Sequence, residues 1–392
     1  MMSAETRLLV LCSKLETDSE QEAEVQNILD LDLDWSEVLV RADDEGVTPL
    51  LYKKIRLHSQ KVPEEVLSKL HFIYIRNAAR NLYLLTSLKP LLEAVEESGL
   101  RAALIKGARL VNTLYKDIGA RFFIDVDLLV YPPHRKSILK LLSGLGFVQT
   151  FSPHVHHALS EREKMFWTFR PAYKKGNLEL ELHYNFPGLH MPFSMTDDLW
   201  QNTKKIDIED SPAQVLSPEY ELCLLCLHSQ QHSYSRLDWF TDIAGMVRSE
   251  TLHWSKVLSI CRKERIQASV FYGLYLVNQF WPKTVPEKVL DGFYVSRLEK
   301  NLLEFFWPLH SVKSRGQRLV FPMHSPTFFS VLSRKRADLF LKAVYHFFLP
   351  PRSWVSFYYG ISPNSYKMVV HYLWRFWRPV YLVFRRLIEA GP

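Results

Sequence analysis

The run Arg121-Phe-Phe-Ile-Asp-Val-Asp-Leu-Leu-Val130 constrains the fold of this chain more than any other ten residues. Asp125 and Asp127 alternate with Ile124, Val126, Leu128 and Val130, a period of two that an extended strand sorts onto opposite faces. Aspartate is depleted in strands, so two in one strand weaken it unless something else gains from them. Side chains two apart leave the same face about 7 Å apart along the chain, and the four apolar neighbours are expected to stay buried. Two anions so close, flanked by apolar groups, repel each other and lose hydration, and a bound divalent cation offsets both costs. The alternative is a strand end carrying two solvated acids.

Two flanking segments bear on that choice. Upstream, the apolar run Ala102-Ala-Leu-Ile105 leads through Lys106-Gly107 into Ala108-Arg-Leu-Val-Asn-Thr-Leu-Tyr115, with Leu110, Val111 and Leu114 at helical spacing. This reads as strand, tight glycine turn and helix. A glycine there lets backbone N–H groups approach a phosphate, and Lys106 adds a point charge. Downstream, Asn177-Leu-Glu-Leu-Glu-Leu-His-Tyr184 alternates like a half-buried strand that places Glu179, Glu181 and His183 on one face. Lys174-Lys-Gly-Asn177 is a hairpin turn that would pair this strand with Met165 to Tyr173. Three carboxylates on neighbouring strands suit metal-assisted phosphoryl transfer, although Glu179 or Glu181 alone fits an ordinary solvent-facing acid equally well.

In order and spacing, Leu104-Ile-Lys-Gly-Ala108, Tyr115, Arg121, Asp125-Val-Asp-Leu-Leu-Val130 and Glu181-Leu-His183 resemble the nucleotidyltransferase superfamily of the DNA polymerase β type. More narrowly they are similar to its bacterial uncharacterised nucleotidyltransferase family, which carries Lys-Gly where the superfamily has Gly-Ser. The resemblance implies an α+β fold, a nucleotidyltransferase-type mixed β-sheet domain flanked by N-terminal and C-terminal helical domains. It implies Asp125, Asp127 and Glu181 as catalytic metal ligands for Mg²⁺ or Mn²⁺, with an NTP as co-substrate. Lys106 and Gly107 would form the triphosphate-side turn, Arg121 would lie near the site, and Asp242 would face it from the helical domain.

The chain divides into a helical region over 1–98, an α/β core over 99–210, a helical domain over 211–300 and a C-terminal helical region over 301–392. Helices are expected over Glu22 to Leu31, Trp35 to Asp44 behind an Asp34 cap, and Pro63 through Leu92, the last with Leu70, Ile73, Asn77, Leu84 and Leu88 in packing positions. Another starts at Ser217-Pro-Glu. The four cysteines suit a reducing compartment. Cys223 and Cys226 form a C-x-x-C within an apolar helical pattern and, with no second pair nearby, read as buried thiols. No secretory signal is recognised and no run of about 18 apolar residues offers a membrane span, so a cytoplasmic protein, with membrane association through its tail as an option, is expected.

Two histidine groups compete as metal sites. His154 and His156 could share a strand face near His183, and His228 and His232 lie four apart on a helix without an evident third ligand. Trp239 and Asp242, three apart, could stack on and hydrogen-bond a base or acceptor sugar, or be core and cap. Residues 301–392 hold 13 Lys and Arg against 3 Asp and Glu, whereas the chain as a whole carries only +7. Within them Tyr372 to Arg386 interleaves aromatics with arginine, which suits packing on the helical domain, anionic lipid or nucleic acid. Pro379 is expected to interrupt any long helix there. The function expected is Mg²⁺-dependent transfer of a nucleoside monophosphate to an unidentified acceptor hydroxyl or phosphate. The alternatives are a non-catalytic adaptor in surface-polysaccharide or secondary-metabolite biosynthesis and a tRNA-modifying, toxin-like transferase.

Overall fold

Alternating apolar strands separated by amphipathic helices build an α+β protein around one seven-stranded mixed sheet in the computed structural model. It describes residues 2–150, 172–184, 197–249 except 233, 252–306 and 364–389, with isolated positions between 345 and 362. The N-terminal helices are α1 (Ala4–Ser13), α2 (Ser19–Leu29), α3 (Trp35–Asp44), α4 (Thr48–Ile55) and α5 (Glu64–Glu97). Asp34 caps α3 through the Glu37 N–H, and Asp18 with Gln21 forms a capping box that starts α2 three residues before the sequence pattern does.

The sheet core follows as β1 (Ala102–Ile105), α6 (Lys106–Leu110), β2 (Val126–Val130), α7 (Arg135–Gly144), β3 (Val148–Gln149), β4 (Ala172–Lys175) and β5 (Leu178–His183). After α8 (Asp197–Gln201) come β6 (Lys204–Ile208) and β7 (Ser211–Val215). The strand order is β3-β4-β5-β2-β1-β7-β6. Centrally, β2 is antiparallel to β1 and parallel to β5, so Asp127 lies opposite Ile105 on one side and Glu181 on the other. The β4–β5 hairpin turns at Gly176 with φ +58°, where a side chain would be strained. Residues 165–171 of the expected partner strand lie outside the described residues, as do His154, His156 and His157.

The two faces of the sheet feed different cores. Ala102, Leu104, Val126, Leu128 and Val130 pack with Leu84, Leu88 and Leu92 of α5 and Ile138 and Leu142 of α7. Ala103, Ile105 and Leu129 join a larger core shared by the N-terminal helices and by α9 (Pro218–Gln231), α10 (Leu237–Ser249), α11 (Trp254–Glu264) and α12 (Gln267–Phe280). The Trp281 indole N–H donates to the Val10 carbonyl at 2.9 Å and the Thr241 hydroxyl to the Ser13 carbonyl at 3.0 Å, tying α1 to the later helices. Asp127, being in phase with Leu129, therefore looks toward the helical side. Cys223, Cys226 and Cys261 are buried free thiols, with the Cys223 and Cys261 sulfurs 3.8 Å apart.

Two short helices follow, α13 (Glu287–Asp291) and α14 (Arg297–Phe306), and the described chain closes with α15 (Lys367–Glu389). The last runs continuously through Pro379, contrary to the expected interruption. Proline removes one N–H and crowds the carbonyl four residues back, which can bend a helix without ending it. Ile124 is a second correction: it is 61% exposed rather than buried, because β2 begins only at Val126.

Candidate active site

The acids meet at the N-terminal end of β2. Asp127 is the second residue of the strand and buried; Asp125 lies just outside it and is half-buried. The loop before β2 is held by one face of α5. Asn77 donates its amide to the carbonyls of Gly119 at 2.8 Å and Arg121 at 3.2 Å, and Asn81 to those of Ile118 at 2.7 Å and Arg121 at 2.8 Å. Arg80 reaches the Phe123 carbonyl and, at 2.6 Å, that of Ile124. Asn77 thus does more than pack: the two asparagines satisfy the carbonyls of Gly119 and Arg121 in buried hydrogen bonds, in an irregular segment that has no strand partner to do so.

Asp127 Oδ1 accepts from Lys106 Nζ at 2.7 Å and from His183 Nε2 at 2.6 Å. His183 Nε2 also lies 3.3 Å from Glu181 Oε2. The register explains the grouping, because the parallel β2–β5 pair places Glu181 beside Asp127 and His183 two residues on along the same face. Burial alone would raise the Asp127 carboxyl, but the Lys106 charge and the His183 hydrogen bond hold it well below the usual carboxylate range. Asp125 behaves oppositely. Burial pushes it up, the Asp127 and Glu181 charges push further, and Lys106 opposes them, leaving it at about 6.

Ligand atoms of Asp127, Glu181 and His183 lie within 4.8 Å of one another. Hard carboxylate oxygens suit Mg²⁺ or Mn²⁺, and an additional imidazole is better tolerated by Mn²⁺. With Asp125 nearby and held up by its neighbours' charge, the donor set fits a divalent cation. Glu179 is half-buried in β5 and paired across from Lys174. His183 was legible as a face-mate of Glu181 by its spacing of two, but nothing in the sequence tied it to Asp127.

The Lys-Gly turn is built differently from the expectation. Lys106, not the glycine, adopts the left-handed conformation, with φ +55°. Gly107 is needed for space: a Cβ there would stand 2.5 Å from the Phe123 Cβ. The Lys106 backbone N–H is used within the protein, donating to Glu221 Oε1 of α9 at 3.0 Å. Glu221 is fully buried, and burial raises its carboxyl against the opposing Arg109 charge. Gly107→Ala is expected to push Phe123 and the β2 approach apart, costing about 1–3 kcal/mol as overpacking. Urea unfolding measures the loss, and an unchanged midpoint would contradict the close packing.

Arg121 and Asp242 pair with each other. Arg121 donates Nε to Asp242 Oδ1 at 2.9 Å and Nη2 to Oδ2 at 2.7 Å, with Asp238 Oδ2 at 3.3 Å from Nη1. The Tyr115 hydroxyl donates to Asp242 Oδ1 at 2.7 Å. All are buried, so the group joins the turn after α6 to α10. Trp239 points elsewhere, its ring 5.2 Å from His228 and 5.0 Å from His232, with the Arg236 guanidinium over it.

With this geometry in view, the sequence matches the family described as uncharacterised nucleotidyltransferase over residues 31–282. Among solved structures, an antigenic nucleotidyltransferase-like protein from Paracoccidioides brasiliensis is 22% identical, covering 53% of this chain and 92% of that one with a TM-score of 0.37. The antibiotic-resistance factor ANT(2'')-Ia is 12% identical, covering 49% and 96% with a TM-score of 0.34. Both overlaps are too loose to bear on activity. No curated protein matches the chain.

Proposed function

The chain belongs to the uncharacterised nucleotidyltransferase family, whose match spans residues 31–282, and from that membership we propose that it transfers a nucleoside monophosphate from an NTP to an acceptor hydroxyl or phosphate, with Mg²⁺ or Mn²⁺. The observation that carries this reading is the in-register pairing of Asp127 with Glu181 on adjacent parallel strands, with Asp125 and His183 at their flanks.

Asp125, Asp127 and Glu181 would hold the cation, with His183 fixing the Asp127 and Glu181 carboxylates. When bound, the ion supplies charge neutralisation at the nucleotide phosphates and favours in-line displacement. Lys106 has a long, mobile stem, and its ammonium would exchange Asp127 for a phosphate oxygen once the acids have another counter-charge. Glu181 is half-buried and so not sealed from an acceptor, which suits it to help ionise the acceptor hydroxyl. Arg121 and Asp242 enter this scheme as positioning groups that hold the turn after α6 against α10.

The test is transfer of label from NTP in the presence of Mg²⁺ and cell extract, with binding followed by calorimetry. Label should move, and Asp125→Ala combined with Asp127→Ala should abolish both metal-dependent binding and transfer, as should chelation of the metal. Retention of both by the double variant refutes the assignment. A second reading, a non-catalytic adaptor in surface-polysaccharide or secondary-metabolite biosynthesis, draws on the Lys106 ammonium standing directly on Asp127. It requires that wild-type protein bind no Mg²⁺-NTP.

A further inference from the structure

The most basic part of the chain contains a helix whose outward side is apolar. On α15, Val369, Val370, Leu373, Trp374, Trp377 and Tyr381 are each 52–67% exposed. At 100° per residue these six fall within an arc of about 140°. Met368 and Arg375 lie on the opposite side and are buried. An ordinary surface helix does the reverse, turning its apolar stripe inward and its charges to water. Here an arginine faces the protein while two tryptophans and a tyrosine face out.

Such a side loses free energy in water and gains it at a lipid headgroup layer, where Trp and Tyr rings keep their polar edges wet and their bodies in the acyl boundary. No described helix is long and apolar enough to cross a membrane, so contact with a bilayer would be parallel to its surface. Charge selects the kind of surface. With 13 Lys and Arg against 3 Asp and Glu in residues 301–392, this region is attracted to anionic headgroups. The same positive charge disfavours pairing with a second copy of itself. Val369, Val370 and Leu373 have no ring on which a base could stack, which argues against nucleic acid as the occupant.

We infer that α15 is an interfacial anchor, seating its Trp374 and Trp377 side among the headgroups of an anionic lipid surface. The inference is independent of nucleotidyl transfer, because none of the residues of the acid cluster lies on this helix.

Co-sedimentation of the full chain with phosphatidylcholine vesicles, with and without phosphatidylglycerol, tests it. The protein should pellet with the anionic vesicles, remain in solution with the neutral ones, and be released progressively by salt. Trp374→Glu with Trp377→Glu should lower the partition by about tenfold or more while leaving the thermal midpoint in place. Should that variant not fold, Trp377→Gln adds no charge and should give a smaller drop in the same direction. The inference is overturned if wild-type protein pellets with neither vesicle, or if the variants bind as well as wild type. It is equally overturned if wild-type protein ignores vesicles yet forms a dimer by light scattering, or is retained on immobilised RNA, in a way the Trp substitutions abolish.

Discussion

Asp125→Asn is expected to lower nucleotidyl transfer by at least about 10²–10³-fold while leaving the protein as stable as before, or more so. Both halves follow from the charges around the carboxyl. Asp125 lies half-buried beside two further carboxylates and is held at about 6 against an ordinary 3.8. A carboxyl whose folded value is raised is ionised at neutral pH at a cost to the native state, and an amide removes that cost. Under the proposed function, the amide would equally remove a negative ligand from the cation. Thermal unfolding at pH 7 and single-turnover transfer, measured on the same preparation, separate the two effects. Asp127→Asn would confound them, since it leaves the buried Lys106 ammonium without its partner, a change that costs about 3–5 kcal/mol for buried pairs. If Asp125→Asn destabilises the protein by that much, the carboxylate is a structural element and the charge argument fails.

Asp242→Ala is expected to destabilise the fold by about 3–5 kcal/mol and to affect nucleotide binding only through that loss. The Arg121 guanidinium is buried, and the Asp242 and Asp238 charges together drive its ionisation well above the ordinary arginine range. Removing Asp242 strips it of three hydrogen bonds and leaves the Tyr115 hydroxyl without its acceptor. Arg121→Met combined with Asp242→Leu should lose less than the sum of the two single changes, by about 0.5–3 kcal/mol, because neither charge is then left alone. Urea unfolding of the four proteins gives the coupling. The opposite pattern, normal unfolding with a raised KM for NTP, would make Asp242 a nucleotide-binding residue, which is the role its resemblance to the family implies.

These two residues mark where sequence reasoning reached and where it stopped. Period-two alternation exposed β2 and β5, and a spacing of two put Glu181 with His183, because a strand's geometry is local. Asp125 is expected on the same strand as Asp127 but lies just before it, since β2 begins at Val126. Which strands neighbour each other is not local, so the contact of His183 with Asp127 across the β2–β5 pair had no signature. Lys106 read as a phosphate ligand because lysine beside glycine at a strand end has that chemistry. Its pairing with Asp127 depends on an antiparallel register that places Ile105 opposite that residue. Asn77 was legible only as a packing position on a helix, and Asn81 not at all, since the carbonyls they hold belong to a loop about 40 residues downstream. In α15 the local rule for proline predicted a break, and the helix continues past it.

The ammonium of Lys106 and the His183 hydrogen bond let the polypeptide reach its native state with the Asp127 carboxylate already compensated. Under the proposed function, folding and loading would thereby be uncoupled: a nascent chain would complete its cores without a divalent ion, and take one up when a nucleotide phosphate receives the displaced ammonium. Proteins whose acids are balanced by an ion alone have no such interval, and their folded lifetime is tied to the supply of that ion.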